Sequence, residues 1–222
     1  VDIRKKENIE KDTLNFLSKH SIKTYINSEI EGCDGNNKVK WAYIRDSVKN
    51  IIKIKTSMVC VSGGINPDVH LFTQSKGLIK WDKDYLTFKP DTPFQKTITL
   101  GSASGNFNYK NLIKEINDKL NFLSTKELEN QIENIGSENL NISELWEVKH
   151  ERNSLWSKSF IDLQNDVTTK DLEQAVIEGF DRIEHLKRYT TNSMGTDQGK
   201  ISSINSLAIV ARILKRNISE VG

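Results

Sequence analysis

Apolar residues at helical spacing predict helices in the first fifty residues. Residues 5–19 place Ile9, Phe16 and Leu17 on one side of a helix. A polar segment at 31–37, rich in glycine and asparagine, then indicates a turn. Beyond it, apolar residues recur at the period of a helix with one buried face; these residues are Trp41, Ile44, Val48, Ile51 and Ile52. The sequence therefore predicts two helices joined by a turn.

From Ser57 the pattern changes to short apolar runs and alternating residues, which are typical of β-strands. The connections between successive runs are too short for helical crossovers, so neighbouring strands are expected to run antiparallel. The runs occupy residues 58–61, 69–71, 78–81, 85–88 and 97–100. We therefore expect an antiparallel β meander at about residues 57–100.

Helical spacing returns after the strands and continues to the end of the chain. Capping boxes mark two helix starts, and they lie at Ser124–Glu127 and Thr168–Asp171. The second box predicts one helix that continues to Leu186. A polar loop at 190–199 separates this helix from a last amphipathic helix that ends near Leu214.

These patterns combine into one fold prediction, an α+β protein. N-terminal helices lead into the antiparallel meander at about residues 57–100, and a helical C-terminal half follows. Because no internal repeat or low-complexity linker interrupts the chain, a single α+β domain over residues 1–222 is expected.

Composition indicates a folded chain without a marked electrostatic preference. Hydrophobic residues make up 36% of the chain and charged residues 28%, which is typical of a globular protein. A net charge of +2 exerts no global attraction toward nucleic acid or an acidic membrane. No apolar run approaches the roughly 18 residues that a membrane span needs, and no signal peptide is visible. We therefore expect a soluble protein of unspecified compartment.

Well-known phosphate-binding and catalytic motifs are absent from the sequence. There is no G-x-x-x-x-G-K-[ST] and no G-x-G-x-x-G. The segment Gly101–Gly105 lacks the central serine of a nucleophile elbow, because Ala103 occupies that position. The two cysteines are too few for a disulfide scaffold, and the four histidines are too dispersed for a local metal-binding pair. These absences favour a non-enzymatic protein.

Two Pro-Asp pairs and one acid-x-lysine segment form the strongest catalytic candidate. The pairs end at Asp68 and Asp91, and the segment runs from Glu147 to Lys149. Together they resemble the scattered pattern of the PD-(D/E)xK metal-dependent nucleases. The resemblance implies that Asp68 and Glu147 hold Mg²⁺ and that Lys149 helps to orient or activate the attacking water. Asp68 lies 79 residues before Glu147, a longer interval than is usual in that family.

A strand, a small-residue turn and a helix are expected in succession at residues 96–120. This unit is similar to units that recur in phage, viral capsid and flagellar assembly proteins, where a Gly-Asn turn feeds a strand directly into a helix. We therefore favour a non-enzymatic structural or binding protein of the viral or phage assembly type. Such a protein would need no cofactor and would act through a protein partner or self-assembly, with nucleic acid as a further contact.

The alternative hypothesis is a Mg²⁺-dependent nuclease that cleaves DNA, with Asp68, Glu147 and Lys149 as its site. A third hypothesis is a surface adhesion module, which would carry glycans on Asn141 or Asn217, the two asparagines in glycosylation patterns.

Overall fold

The computed structural model describes residues 1–120, 141–148 and 158–221. The chain divides into two compact units, of which the first combines Val1–Val61 with Ser143–Gly222 and the second is Ser62–Ile142. The single domain expected over residues 1–222 stays a prediction.

The first unit begins with a short helix and a small antiparallel sheet. Helix α1 spans Lys11–Lys19, as the spacing of apolar residues in this segment predicts. The sheet is built from β1 at Glu29–Gly35, β2 at Val39–Arg45 and β3 at Ile51–Lys55, in the order β1-β2-β3. These strands lie in a part of the chain for which the sequence pattern predicts helices and a turn.

The helix predicted over residues 41–52 is wrong, because this segment forms β2, a turn and β3. Ala42 and Ile44 point to the buried face of β2, so the true period is two. Asp46 closes the turn, since its carboxylate accepts hydrogen bonds from the backbone N–H groups of Val48 and Asn50 at 3.0 and 2.8 Å. Two short alternating runs on either side of a turn happened to reproduce helical spacing.

The second unit contains one β-hairpin and two helices in its described part. Helix α2 spans His70–Gln74, strands β4 and β5 span Leu78–Asp82 and Thr87–Thr92, and a 3₁₀ turn at Gly101–Ser104 precedes helix α3 at Tyr109–Leu120. Strands β4 and β5 pair antiparallel.

The expected meander at 57–100 is thus smaller than the sequence pattern suggests. Met58 and Val61 are 70% and 85% exposed, so the apolar run that contains them buries no strand face. The run at 69–71 is taken up by the start of α2. Apolar residues alone do not make a strand where no neighbouring strand pairs with them.

The C-terminal part of the first unit is mainly helical. A hairpin of β6 at Phe160–Asp162 and β7 at Val167–Thr168 leads into α4 at Thr169–Ile177, α5 at Ile183–Thr190, α6 at Ser203–Leu214 and α7 at Ile218–Val221. The predicted capping box starts α4 as expected, since the Asp171 carboxylate accepts the backbone N–H of Thr168 at 2.7 Å. The helix predicted to reach Leu186 is divided at Gly179, whose φ of 97° is left-handed.

The hydrophobic core of this part joins β6, β7 and the four helices. Leu172, Leu186 and Val210 are fully buried, and each contributes roughly 1.5–3 kcal/mol relative to an exposed side chain. The remaining buried members are Ile161, Val167, Ala175, Ile209, Ala211 and Val221. The α+β class expected from the sequence is confirmed. The capping box predicted at Ser124–Glu127 lies outside the described residues.

Candidate functional site

A long polar loop connects α5 to α6. Helix α5 ends at Thr190 and α6 begins at Ser203, which leaves 12 residues between them. Connections between packed helices usually have about 2–8 residues, and longer ones are often functional. We call this segment loop 191–202.

The inner side of loop 191–202 is anchored by a buried carboxylate. Asp162, at the end of β6, is 3% exposed and accepts the backbone N–H of Ser193 at 2.8 Å. Its other oxygen accepts the backbone N–H groups of Gln164 and Asn165 at 2.8 and 3.2 Å. Burial by itself would raise the pKa of Asp162, but these backbone donors outweigh burial and hold the pKa below its usual range. The ionised carboxylate is therefore a fixed part of the loop's structure.

A network of small polar side chains ties the loop to α6. Asn192 is 1% exposed and its amide donates to the hydroxyls of Ser206 and Ser193 at 2.7 and 3.0 Å. The hydroxyls of Ser193 and Ser202 lie 2.8 Å apart, and Ser206 donates to the carbonyl of Ser202 at 2.7 Å. Buried hydrogen bonds of this kind rigidify a segment, because breaking one leaves a desolvated polar group.

Several residues of the loop have a left-handed backbone. The φ angles of Thr191, Ser193 and Gln198 are 60°, 60° and 54°, a region that residues with a Cβ occupy at a cost of roughly 1–2 kcal/mol. Strained conformations persist only when the surrounding contacts specify them. The contacts of Asp162 and Asn192 supply that specification.

The outer side of the loop is held by the turn between β6 and β7. The side-chain oxygen of Gln164 accepts both the backbone N–H and the hydroxyl of Thr196, each at 2.7 Å. The amide of Asn165 donates to the carbonyl of Thr191 at 2.9 Å. The turn at residues 162–165 is therefore hydrogen bonded to three residues in the first half of the loop; these are Thr191, Ser193 and Thr196.

Positive charges flank the loop. Lys187 and Arg188 lie in the last turn of α5, and Lys200 lies near the end of the loop. None of the three forms an ion pair with a residue in the described part of the chain. Arg188, Gln198 and Lys200 are exposed, so guanidinium, amide and ammonium donors are available around a rigid segment. Such a set of donors suits an oxyanion such as a phosphate or a carboxylate.

One acidic residue lies within the loop, and its oxygens are already engaged. The Asp197 carboxylate accepts the backbone N–H groups of Gly199 and Ile201 at 3.1 and 3.2 Å. It therefore shapes the segment that carries Gln198 and Lys200, although its charge lowers the local positive potential.

Asp68 and Glu147, two of the three residues expected to form a nuclease site, are assigned to different units of the chain. Asp68 is exposed in the second unit, where its carboxylate accepts the backbone N–H of His70 at 3.4 Å. Glu147 belongs to the first unit and forms an ion pair with Arg212. Lys149 lies outside the described residues, so the assignment of these three residues stays untested. In the described ranges no three His, Cys, Asp or Glu side chains are grouped so as to hold a metal ion.

No motif in the sequence marks loop 191–202 as a site. The sequence pattern indicates a polar loop at 190–199 only as a connection between two helices. The available signal was the length of the polar connection between two clearly amphipathic helices.

Comparison with known proteins places this loop in a recognised sequence region. Residues 156–222 match the family model of the sarcosine oxidase A3 domain. The chain is 26% identical over 178 residues to the sarcosine oxidase alpha subunit of Corynebacterium sp. (strain P-1). This match covers 77% of this chain and 18% of that protein. The chain is 28% identical over 180 residues to the same subunit of Rhizobium meliloti (strain 1021), covering 76% of this chain and 17% of that protein. The chain thus spans less than a fifth of the length of these relatives.

A solved structure shares the fold. The crystal structure of L-proline dehydrogenase from P. horikoshii has a TM-score of 0.62 and 19% sequence identity, and the match covers 95% of this chain and 44% of that one. At this level of identity the likeness concerns the fold.

These comparisons correct the functional hypotheses. The hypotheses of a viral or phage assembly protein and of a Mg²⁺-dependent nuclease are both wrong, because the matching family model and the curated relatives are those of an oxidase subunit. The expectation of no cofactor, with Mg²⁺ under the nuclease hypothesis, is wrong for the same reason, since enzymes of this kind transfer electrons.

The expected protein partner is supported, whereas nucleic acid is not. The curated relatives are named as the alpha subunit of an oxidase, and a subunit works within an assembly. Among the helices of the described ranges, none combines the length and the apolar character needed to cross a bilayer. The chain is therefore similar over most of its length to one part of the sarcosine oxidase alpha subunit, and its C-terminal region matches the A3 domain.

Proposed function

We propose that this chain forms part of a flavin-dependent oxidoreductase that oxidises a secondary amino acid. The sarcosine and L-proline in the names of the similar proteins are both amino acids whose nitrogen is a secondary amine. The observation that carries the proposal is the position of loop 191–202, which lies wholly within the region matched by the sarcosine oxidase A3 model. A rigid loop flanked by cations that form no ion pair within the described ranges is the kind of structure that positions a charged ligand.

The donors around the loop are of the chemical type that binds the phosphate end of a flavin. When bound, a flavin accepts the electron pair removed from the carbon next to the amine nitrogen. The chain has no G-x-G-x-x-G segment, so it lacks the usual dinucleotide loop. Lys187, Arg188, Gln198 and Lys200 instead offer two kinds of cation and an amide, which bind phosphate oxygens through charge-assisted hydrogen bonds.

The buried contacts of the loop hold its backbone in one conformation before a ligand binds. Asp162 and Asn192 fix the backbone before any ligand arrives, so little conformational entropy remains to be lost when the ligand binds. Lysine and glutamine side chains on a mobile loop would bind the same anion more weakly. The buried contacts and the exposed donors thus have complementary roles.

The same donors also suit the carboxylate of the amino acid substrate. The two candidate oxyanions, a flavin phosphate and a substrate carboxylate, predict different effects of mutating these donors. Loss of a phosphate contact lowers the affinity for flavin, whereas loss of a carboxylate contact raises the KM for the amino acid and leaves the flavin content unchanged.

The test uses the full-length protein purified with its partner subunits. We expect bound flavin, and reduction of an artificial electron acceptor that depends on sarcosine or L-proline. Lys187→Ala and Gln198→Ala should lower the flavin content severalfold, and excess free flavin should restore activity. Lys170→Ala, an exposed lysine on α4, is the control and should behave as wild type.

Two results would count against the proposal. A purified assembly without flavin and without amine-dependent reduction would exclude the oxidoreductase function. If Lys187→Ala and Gln198→Ala retained full flavin but showed a raised KM, the loop would bind the substrate carboxylate and the assignment to phosphate would be wrong.

A further inference from the structure

We propose that Gln164 is a positioning residue for loop 191–202, and that its contact with Thr196 holds Gln198 and Lys200 in place for the oxyanion. The inference rests on the proposed function, because it assigns a role to the same loop. It concerns a residue that touches no ligand in that proposal and that acts through Thr196.

Gln164 and Thr196 are joined by two hydrogen bonds although both are exposed. One oxygen of Gln164 accepts the backbone N–H and the hydroxyl of Thr196, each at 2.7 Å. An exposed glutamine could hydrogen bond to water instead, so burial does not force this contact. What the contact does is join the β6–β7 turn to a backbone group 32 residues further along the chain.

A glycine beside Thr196 makes room for the contact. A Cβ built on Gly195 would lie 2.6 Å from the side-chain oxygen of Gln164 and 2.9 Å from its Cδ. Any side chain at position 195 would therefore displace Gln164 from Thr196. The contact depends on Gly195 as well as on the two residues that form it.

Thr196 is the junction between two differently supported parts of the loop. Before it, Asp162 and Asn165 hold Ser193 and Thr191 through direct hydrogen bonds. After it, the segment is organised by Asp197, which accepts the backbone N–H groups of Gly199 and Ile201. This second segment carries Gln198 and Lys200. Its orientation relative to the anchored half depends on Thr196 together with the bond between the Ser193 and Ser202 hydroxyls.

The first measurement is hydrogen exchange in the full-length protein with its partner subunits. Gln164→Ala should speed exchange of the Thr196 amide by about tenfold, the factor that one or two ordinary hydrogen bonds carry. Gln164→Glu keeps the accepting oxygen and should restore slow exchange. Gln174→Ala is the matched control, because the Gln174 amide bonds Glu178 on the surface of α4 at 2.6 Å and does not touch the loop.

The second measurement separates positioning from stability. Gln164→Ala should raise the Kd for flavin about fivefold to tenfold, leave kcat at saturating flavin unchanged, and leave the melting temperature close to that of wild type. Gly195→Ala should have the same effect, and the double variant should be no worse than either single one, because both changes remove the same contact.

The outcomes distinguish this inference from the proposed function. A wild-type assembly that binds no flavin would overturn the proposed function and this inference with it. A wild type that binds flavin, together with a Gln164→Ala variant of unchanged flavin affinity, would overturn the positioning role alone. Fully additive effects of Gln164→Ala and Gly195→Ala would also overturn it.

Discussion

The buried carboxylate of Asp162 accepts a hydrogen bond from the backbone N–H of Ser193 at 2.8 Å, across 31 residues of sequence. This bond joins the end of strand β6 to the start of the connection between α5 and α6. The same carboxylate closes its own turn through the N–H groups of Gln164 and Asn165. One side chain therefore shapes both segments that meet at the candidate site.

We expect Asp162→Asn to lower the free energy of unfolding by about 2 kcal/mol, because backbone donors to a buried charged acceptor lose their charge-assisted strength. Denaturant unfolding of the full-length protein measures the change. Asp181→Asn is the control, since Asp181 is half exposed and its 3.6 Å ion pair with Arg216 contributes little. Equal losses in the two variants would show that the buried bonds of Asp162 have no special role.

The stability contributed by Asp162 should depend on pH. Its pKa is lower in the folded than in the unfolded chain, because backbone N–H donors overcome the effect of burial. The contribution is therefore fully present above the unfolded pKa, near 4, and is lost as the pH falls through the folded pKa. Unfolding free energies of wild type and Asp162→Asn, measured from neutral pH to about pH 3, should converge in acid. A gap that stays constant would contradict the assignment.

Two glycines offer a comparison of backbone strain with and without a steric clash. Gly199 has a φ of 76°, and a Cβ there would approach the Ser203 hydroxyl and lie 2.7 Å from the Cβ of Ser193. Gly179 has a φ of 97°, and a Cβ there would meet nothing within 4 Å. We expect Gly179→Ala to cost about 1 kcal/mol from strain alone and Gly199→Ala to cost at least twice as much. Thermal unfolding of the two variants tests the order.

The ion pair between Glu147 and Arg212 should have a small structural effect. The Glu147 side chain is largely buried and that of Arg212 is partly exposed, which limits the pair to about 1 kcal/mol. Glu147→Gln and Arg212→Gln should each lower the unfolding free energy by that amount or less. The double variant should lose less than the sum of the two, because each single change already removes the pair. Additive losses would show that the two side chains act independently.

Local sequence signals predicted the parts of the fold that depend on local contacts. The capping box from Thr168 to Asp171 spans four residues, so the sequence alone located the start of α4. The helix predicted over 41–52 failed because two short strands around the turn at Asp46 imitate helical spacing. The choice between a helix and two strands depends on the pairing of β2 with its neighbours. No short segment of sequence reveals that pairing.

The candidate site could not be located in the same way. Asp162 and Gln164 lie in an ordinary polar turn, and Ser193 and Thr196 lie in an ordinary polar loop. Their significance arises from contacts that cross more than thirty residues and that no periodic pattern encodes. The spacing of Asp68 and Glu147 was in contrast visible in the sequence, yet the structure assigns them to separate units.

The exposed position of the bond between Gln164 and Thr196 has a consequence for how this protein can change over time. Mutations at a buried site such as Asn192 alter the stability of the whole fold, so few of them are tolerated. Mutations at Gln164 act on the loop while the core remains intact. The stiffness of the loop, and with it the affinity for a ligand, can therefore be adjusted by selection or by an engineer without first repairing the stability of the protein.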